Sequence, residues 1–169
     1  MNYNNIYQEL SCNAFVFKEL LLGISKEEYL WKSNPKKWCL LEIICHLYDE
    51  EREDFRVRVK QVLETPQNSL PPIDPTLWVQ DRHYIEQNYS EKLKDFIQER
   101  EQSIRWLQSL KNPHWNNTYD HATLGKMSAH LFLSNWLAHD YLHLRQIIHI
   151  KFNYLKNISK ESLDYAGNW

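Results

Sequence analysis

The sequence predicts an all-α protein, a four-helix bundle, and three observations carry that expectation. Apolar residues recur at helical spacing in four long stretches, glycine occurs only 3 times in 169 residues, and β-branched runs are few. A chain of this length supplies the core of one domain, taken as residues 1–169. Apolar residues make up 43 %, which excludes intrinsic disorder. Seven tryptophans are expected to fill space between the helices.

The first helix is expected over residues 3–22. Tyr3, Ile6, Tyr7, Leu10, Ala14, Phe17, Leu20 and Leu21 form its stripe, and Gly23 follows as a stop. Ser25 with Glu28 reads as a capping box opening a short turn. Ser33 to Lys37 then breaks the chain. The second helix is expected over 39–64, ending before Pro66. Its charges run acidic early (Asp49, Glu50, Glu51, Glu53, Asp54) and basic late (Arg56, Arg58, Lys60), which suits the helix dipole. The acidic run reads most simply as a solvated face.

Thr65 to Pro75 carries four of the six prolines and predicts an ordered, extended connection between the second and third helices. Leu77 to Tyr89 reads as a short irregular helix. The third long helix is expected over 90–110, capped by Ser90. Lys111 to Thr123 reads as a loop, with no β-sheet expected anywhere. The fourth helix is expected over 126–152. Tyr165 and Trp169, in the polar tail, are expected to dock onto the bundle.

The fourth helix carries the chemistry. His139 and His143, four residues apart, stack on one helical face. That spacing recurs where a helix offers two nitrogen ligands to one metal ion. Apolar residues surround the pair at nearly every angular position, so both imidazoles should point into protein and need partners there. Taken alone, the pair favours two core histidines with separate partners. A third ligand would reverse that, and His46 on the second helix is the candidate. Helical periodicity puts His46 off the apolar stripe, nearer Glu42, Glu50 and Glu53, where a rim histidine is the commoner case.

The stretch from Trp38 to Glu51 (WCLLEIICHLYDEE), followed far downstream by Ala138 to Ile147 (AHDYLHLRQI), resembles the DinB-like (YfiT-like) superfamily. The likeness extends to the Leu-Pro-Pro-Ile-Asp-Pro connection, Arg100 and Gly125. It implies a four-helix bundle in which one histidine of the second helix and an HxxxH pair of the fourth bind a divalent metal. By that match His46, His139 and His143 are the ligands, with zinc first and nickel, iron or manganese as other candidates. It implies a metal-dependent hydrolase or a thiol S-transferase using a low-molecular-weight thiol. The alternative is a non-catalytic bundle that binds a metal or a small molecule.

Three imidazoles leave an ion open positions for water or a thiol. Asp49, Glu50 and Asp140 are candidates to orient the imidazoles, and Glu50 and Asp140 are the candidate catalytic carboxyls. The family commonly opens its second helix with Trp-Ser-x-x-Glu, where this chain has Cys39 in place of serine. A half-buried small residue is the preferred reading of Cys39; a reactive thiol at a helix N-terminus is the other. A net charge of −2 argues against nucleic acid. No apolar run is long enough for a membrane span, and the three cysteines show no disulfide pattern, so a cytoplasmic protein is expected. The expected partner is a small-molecule substrate. The aromatic surplus and the resemblance suggest a homodimer.

Overall fold

The computed structural model describes residues 3–167. Helix α1 (Tyr3–Leu21) buries Ile6, Leu10, Phe17 and Leu21, so its apolar stripe faces inward as the spacing requires. Gly23 leaves it with φ +73°, a conformation that favours glycine. The short α2 (Lys26–Tyr29) is capped by Ser25, whose hydroxyl accepts from the Glu28 N–H at 3.2 Å. A continuous helical run then extends through α3 (Leu40–Asp49), a π-helical segment (Glu50–Phe55) and α4 (Arg56–Glu64). At its start the Glu42 carboxylate accepts from the Cys39 N–H at 2.8 Å.

The proline-rich connection is pinned to this run by the Gln61 side-chain amide, which donates to the carbonyls of Asn68 and Ser69 at 2.9 and 2.8 Å. Asp74 caps α5 (Pro75–Asp81), accepting from the N–H groups of Thr76 and Leu77. Helix α6 (Tyr89–Ser109) is capped by Asn88, accepting from the Glu91 N–H at 3.1 Å, rather than by Ser90. Either side chain could cap, and the one that precedes the buried Tyr89 does.

The expectation of no β-sheet is corrected. Strands β1 (Thr118–His121) and β2 (Gly125–Ser128) form an antiparallel hairpin, with Tyr119 opposite Met127. Gly125, at φ +73°, supplies the turn. The last long helix, α7 (Ala129–Ser159), therefore starts three residues late, capped by the Ser128 hydroxyl accepting from the Leu131 N–H at 3.0 Å. It also runs seven residues beyond the expected end. Trp31 holds Tyr154 edge-on at 5.8 Å, and Lys151 pairs with Glu28 at 3.0 Å, which gives the extra turns tertiary support. Tyr165 is fully exposed rather than docked. Trp169 lies outside the described residues.

Around the bundle the order is α1, α6, α3–α4, α7: α1 packs on α6 and α7, α3 on α6, and α4 on α7. Thus α1 faces α3–α4, and α6 faces α7, across the diagonals, and α3–α4 becomes the neighbour of α7. Two apolar clusters fill the interior, one around Phe17, Leu41 and Phe96, the other around Leu10, Val59 and Trp136. They meet at Arg100, whose guanidinium lies 5.5 Å from the Phe96 ring and 6.0 Å from that of Trp136. No helix among the described residues is long and apolar enough to cross a membrane.

The acidic run is the second correction. Asp49, Glu50 and Glu51 are buried, not solvated. Asp49 accepts from the Tyr84 hydroxyl at 2.7 Å and pairs with Arg82 at 2.6 Å. Glu51 accepts from Arg100 Nε at 2.9 Å and from the Trp136 indole at 3.0 Å. Consecutive helical residues point about 100° apart, so three buried in a row require a helix enclosed on most sides. Helix α3 is enclosed: every residue from Leu40 to Leu47 is buried.

Candidate metal centre

That enclosure turns His46 inward despite its place off the stripe, because α3 has no outer face at this level. Its ring lies 4.9 Å from that of Trp38, and Phe55 packs against His139 at 5.0 Å. His139 and His143, one turn apart on α7, meet it across the α3–α7 contact. The Nε2 atom of His139 is 3.2 Å from Nε2 of His46 and 3.1 Å from Nε2 of His143. Ligand atoms of all three lie within 4.8 Å of one another.

Such an arrangement is poorly satisfied by hydrogen bonding alone. A neutral imidazole has one N–H and one lone pair, so the central His139 Nε2 cannot complement both neighbours at once. Protonation is also opposed. Burial, then the proximity of His143, pushes His46 down to about 3. Burial and both neighbouring histidines push His139 down to about 2. Burial lowers His143 as well, against the pull of Gln146 and Asp140. Three neutral imidazoles with converging lone pairs fit a divalent cation. With bonds of about 2.0–2.1 Å, tetrahedral or octahedral ligand nitrogens lie roughly 2.9–3.4 Å apart, and the His46–His139 and His139–His143 separations fall in that range.

The carboxyls expected nearby divide in two. Glu50 keeps Oε1 3.9 Å from His46 Nδ1, too long for a hydrogen bond, and that Nδ1 has no partner among the described residues. Burial, followed by the neighbouring Asp54 carboxylate, holds Glu50 well above the usual carboxylate range. Asp140 turns away from the imidazoles. It takes Arg100 through two bonds of 2.7 Å and the Asn13 amide at 3.1 Å, so both oxygens are occupied in the core.

Cys39 is fully buried rather than half-buried, and burial pushes its thiol up to about 11, which overturns the reactive-thiol reading.

Solvent reaches His139 through a cleft of about 650 Å³ between α4, α7 and the β-hairpin. His143 also borders a second, smaller opening with Gln146 and His149. The hairpin wall had no counterpart in the sequence reading, because four-residue strands are too short for a clear alternation. The π-helical segment between His46 and the cleft was equally invisible. Such segments occur frequently at functional sites, yet no residue type announces them.

A family model described as the DinB superfamily matches residues 16–147, a span from α1 to α7 that includes all three histidines. Among solved structures, YfiT from Bacillus subtilis matches with a TM-score of 0.79 at 15 % identity, over 89 % of this chain and 86 % of that one. YfiT is described as "a probable metal-dependent hydrolase with an unusual four-helix bundle topology". At that identity the likeness is one of fold, and it extends to the bundle order described above. No curated protein sequence matches the chain.

Proposed function

The chain belongs to the DinB superfamily, and on that premise we propose that it is a metal-dependent hydrolase whose divalent ion is held by His46, His139 and His143. The observation that carries this reading is the convergence of three neutral imidazoles on one point, His46 and His143 buried and His139 half-buried, with Nε2 separations of 3.1 and 3.2 Å. Three protein ligands leave a position open, as catalytic sites need and closed structural sites do not. When bound there, the ion would supply Lewis-acid activation of water or of a substrate carbonyl. The description of YfiT as a probable metal-dependent hydrolase supports the same class.

The chain's own residues supply the rest. His46, His139 and His143 orient the site from two neighbouring helices. Trp38 and Phe55 exclude water from the imidazole edges. To Glu50, one turn after His46 and with Oε1 3.9 Å from His46 Nδ1, we assign the role of accepting or returning a proton. Zinc is the first choice of metal, since imidazole, a borderline ligand, suits it well.

The test compares chelator-stripped and zinc-reloaded protein on a panel of small esters and amides, with thiol transfer from a low-molecular-weight thiol as the competing assay. Hydrolysis should appear only on reloading, vanish in His143→Ala and fall about 10²-fold or more in Glu50→Gln. Equal turnover with and without metal would refute the reading. Metal uptake with thiol transfer alone would move the protein to the transferases.

A further inference from the structure

We infer that the cleft over His139 takes an uncharged molecule with an apolar body, its reacting end directed at the three histidines; this rests on the metal reading above. The cleft, about 650 Å³, has the size of small-molecule sites. Phe55, Leu124, Met127, Leu131, Phe132 and Leu142 supply its apolar surface. Three of these are large side chains left open to water: Leu124 is 68 % exposed, Leu142 54 % and Leu131 40 %. Single exposed leucines are ordinary. Three of them, contributed by a hairpin tip and two turns of α7 to one concave wall, form surface that a bound molecule would desolvate.

The polar side chains on the same walls are already engaged within the chain. Arg58 pairs through Nε with Asp54, and its Nη2 donates to the Pro71 carbonyl at 3.3 Å. The Asn135 amide donates to the Leu131 carbonyl at 2.9 Å. His121 Nδ1 accepts from the N–H groups of Thr123 and Leu124, each at 3.2 Å, and so fixes the hairpin tip that carries Leu124. A charged ligand body would find its counter-ion occupied and would have to break the Arg58–Asp54 pair. An apolar body displaces water and disturbs none of these bonds.

The test uses straight-chain hydroxamates, in which the hydroxamate serves as a metal-binding head, against zinc-loaded protein by titration calorimetry. Affinity should rise roughly fourfold per added methylene, so that hexanohydroxamate binds on the order of 100-fold tighter than acetohydroxamate. Succinic acid monohydroxamate, with its charged end, should bind no tighter than acetohydroxamate. The double variant Leu124→Asn/Leu142→Asn, altered only at exposed positions, should flatten the series while acetohydroxamate affinity and zinc content stay unchanged. A flat series on wild-type protein, or tighter binding of the succinic compound, would overturn the inference and leave the metal reading standing. A protein that takes up no zinc before any hydroxamate is added would overturn both.

Discussion

Arg100 at the centre of the bundle allows a sharp test of how the fold is held. Its guanidinium is 1 % exposed and serves two carboxylates, Asp140 through two bonds of 2.7 Å and Glu51 at 2.9 Å, besides the Leu10 carbonyl at 3.2 Å. Replacing it with Met keeps much of the volume but leaves both acids buried, with the Asn13 amide for Asp140 and the Trp136 indole and Ser103 hydroxyl for Glu51 as uncharged donors. Breaking a buried ion pair from one side costs about 3–5 kcal/mol. With a urea m-value of roughly 2 kcal/mol/M, the midpoint should fall by roughly 1.5–2.5 M, a large part of a domain's usual 5–15 kcal/mol. Glu51→Gln should behave differently. One guanidinium facing two carboxylates leaves an excess acid, and burial already raises Glu51 against the pull of Arg100. An uncharged amide there should change stability by less than about 1 kcal/mol. Adding Asp140→Leu to Arg100→Met should recover part of the loss, since the two effects are coupled. A loss below about 1 kcal/mol for Arg100→Met, or equal damage from Glu51→Gln, would refute the reasoning.

Acid should destabilise the metal-free protein. His46 and His139 sit near 3 and 2 when folded and near 6.5 when unfolded, so below pH 6.5 the unfolded chain takes up more protons. Each then removes up to about 1.4 kcal/mol per pH unit as pH falls toward its folded value. Glu50 has the opposite sign: its raised folded pKa makes a contribution that is full below about pH 4.5 and lost as pH rises. Thermal melts of stripped protein should therefore peak near pH 6–7 and fall steeply on the acid side; a flat profile from pH 4 to 7 would contradict this. Thiol titration with an aromatic disulfide at pH 8 should modify the exposed Cys12 quickly and leave Cys39 and Cys45, pushed up to about 11 and 12 by burial, unreacted until urea is added. Three fast thiols would show that the start of α3 is open.

Much of the bundle was legible because each long helix carries its own apolar spacing. The pair His139 and His143 was legible for the same local reason, since i and i+4 share a face. His46 was not: its side of α3 is buried by neighbours, not by its own stripe, and only the likeness to a known family brought it forward. The acidic run misled for a related cause. Glu51 finds Arg100 49 residues away and Trp136 85 residues away, partners that no helical pattern in its own segment contains. A run of acids reads as solvated until the bundle order sets α3 between α6 and α7. The hairpin and the π-helical segment gave too short a signal to be read, though Gly125 marked where the hairpin would turn.

The most direct measurement is a calorimetric titration of chelator-stripped protein with Zn²⁺ at pH 7. One ion per chain should bind, with affinity falling at least ~100-fold in each of His46→Ala, His139→Ala and His143→Ala. The bound ion should leave as pH drops below about 6, where protons compete for the imidazoles. His130→Ala should bind as wild type does. Equal affinity in wild type and His143→Ala would mean that the three imidazoles do not share an ion.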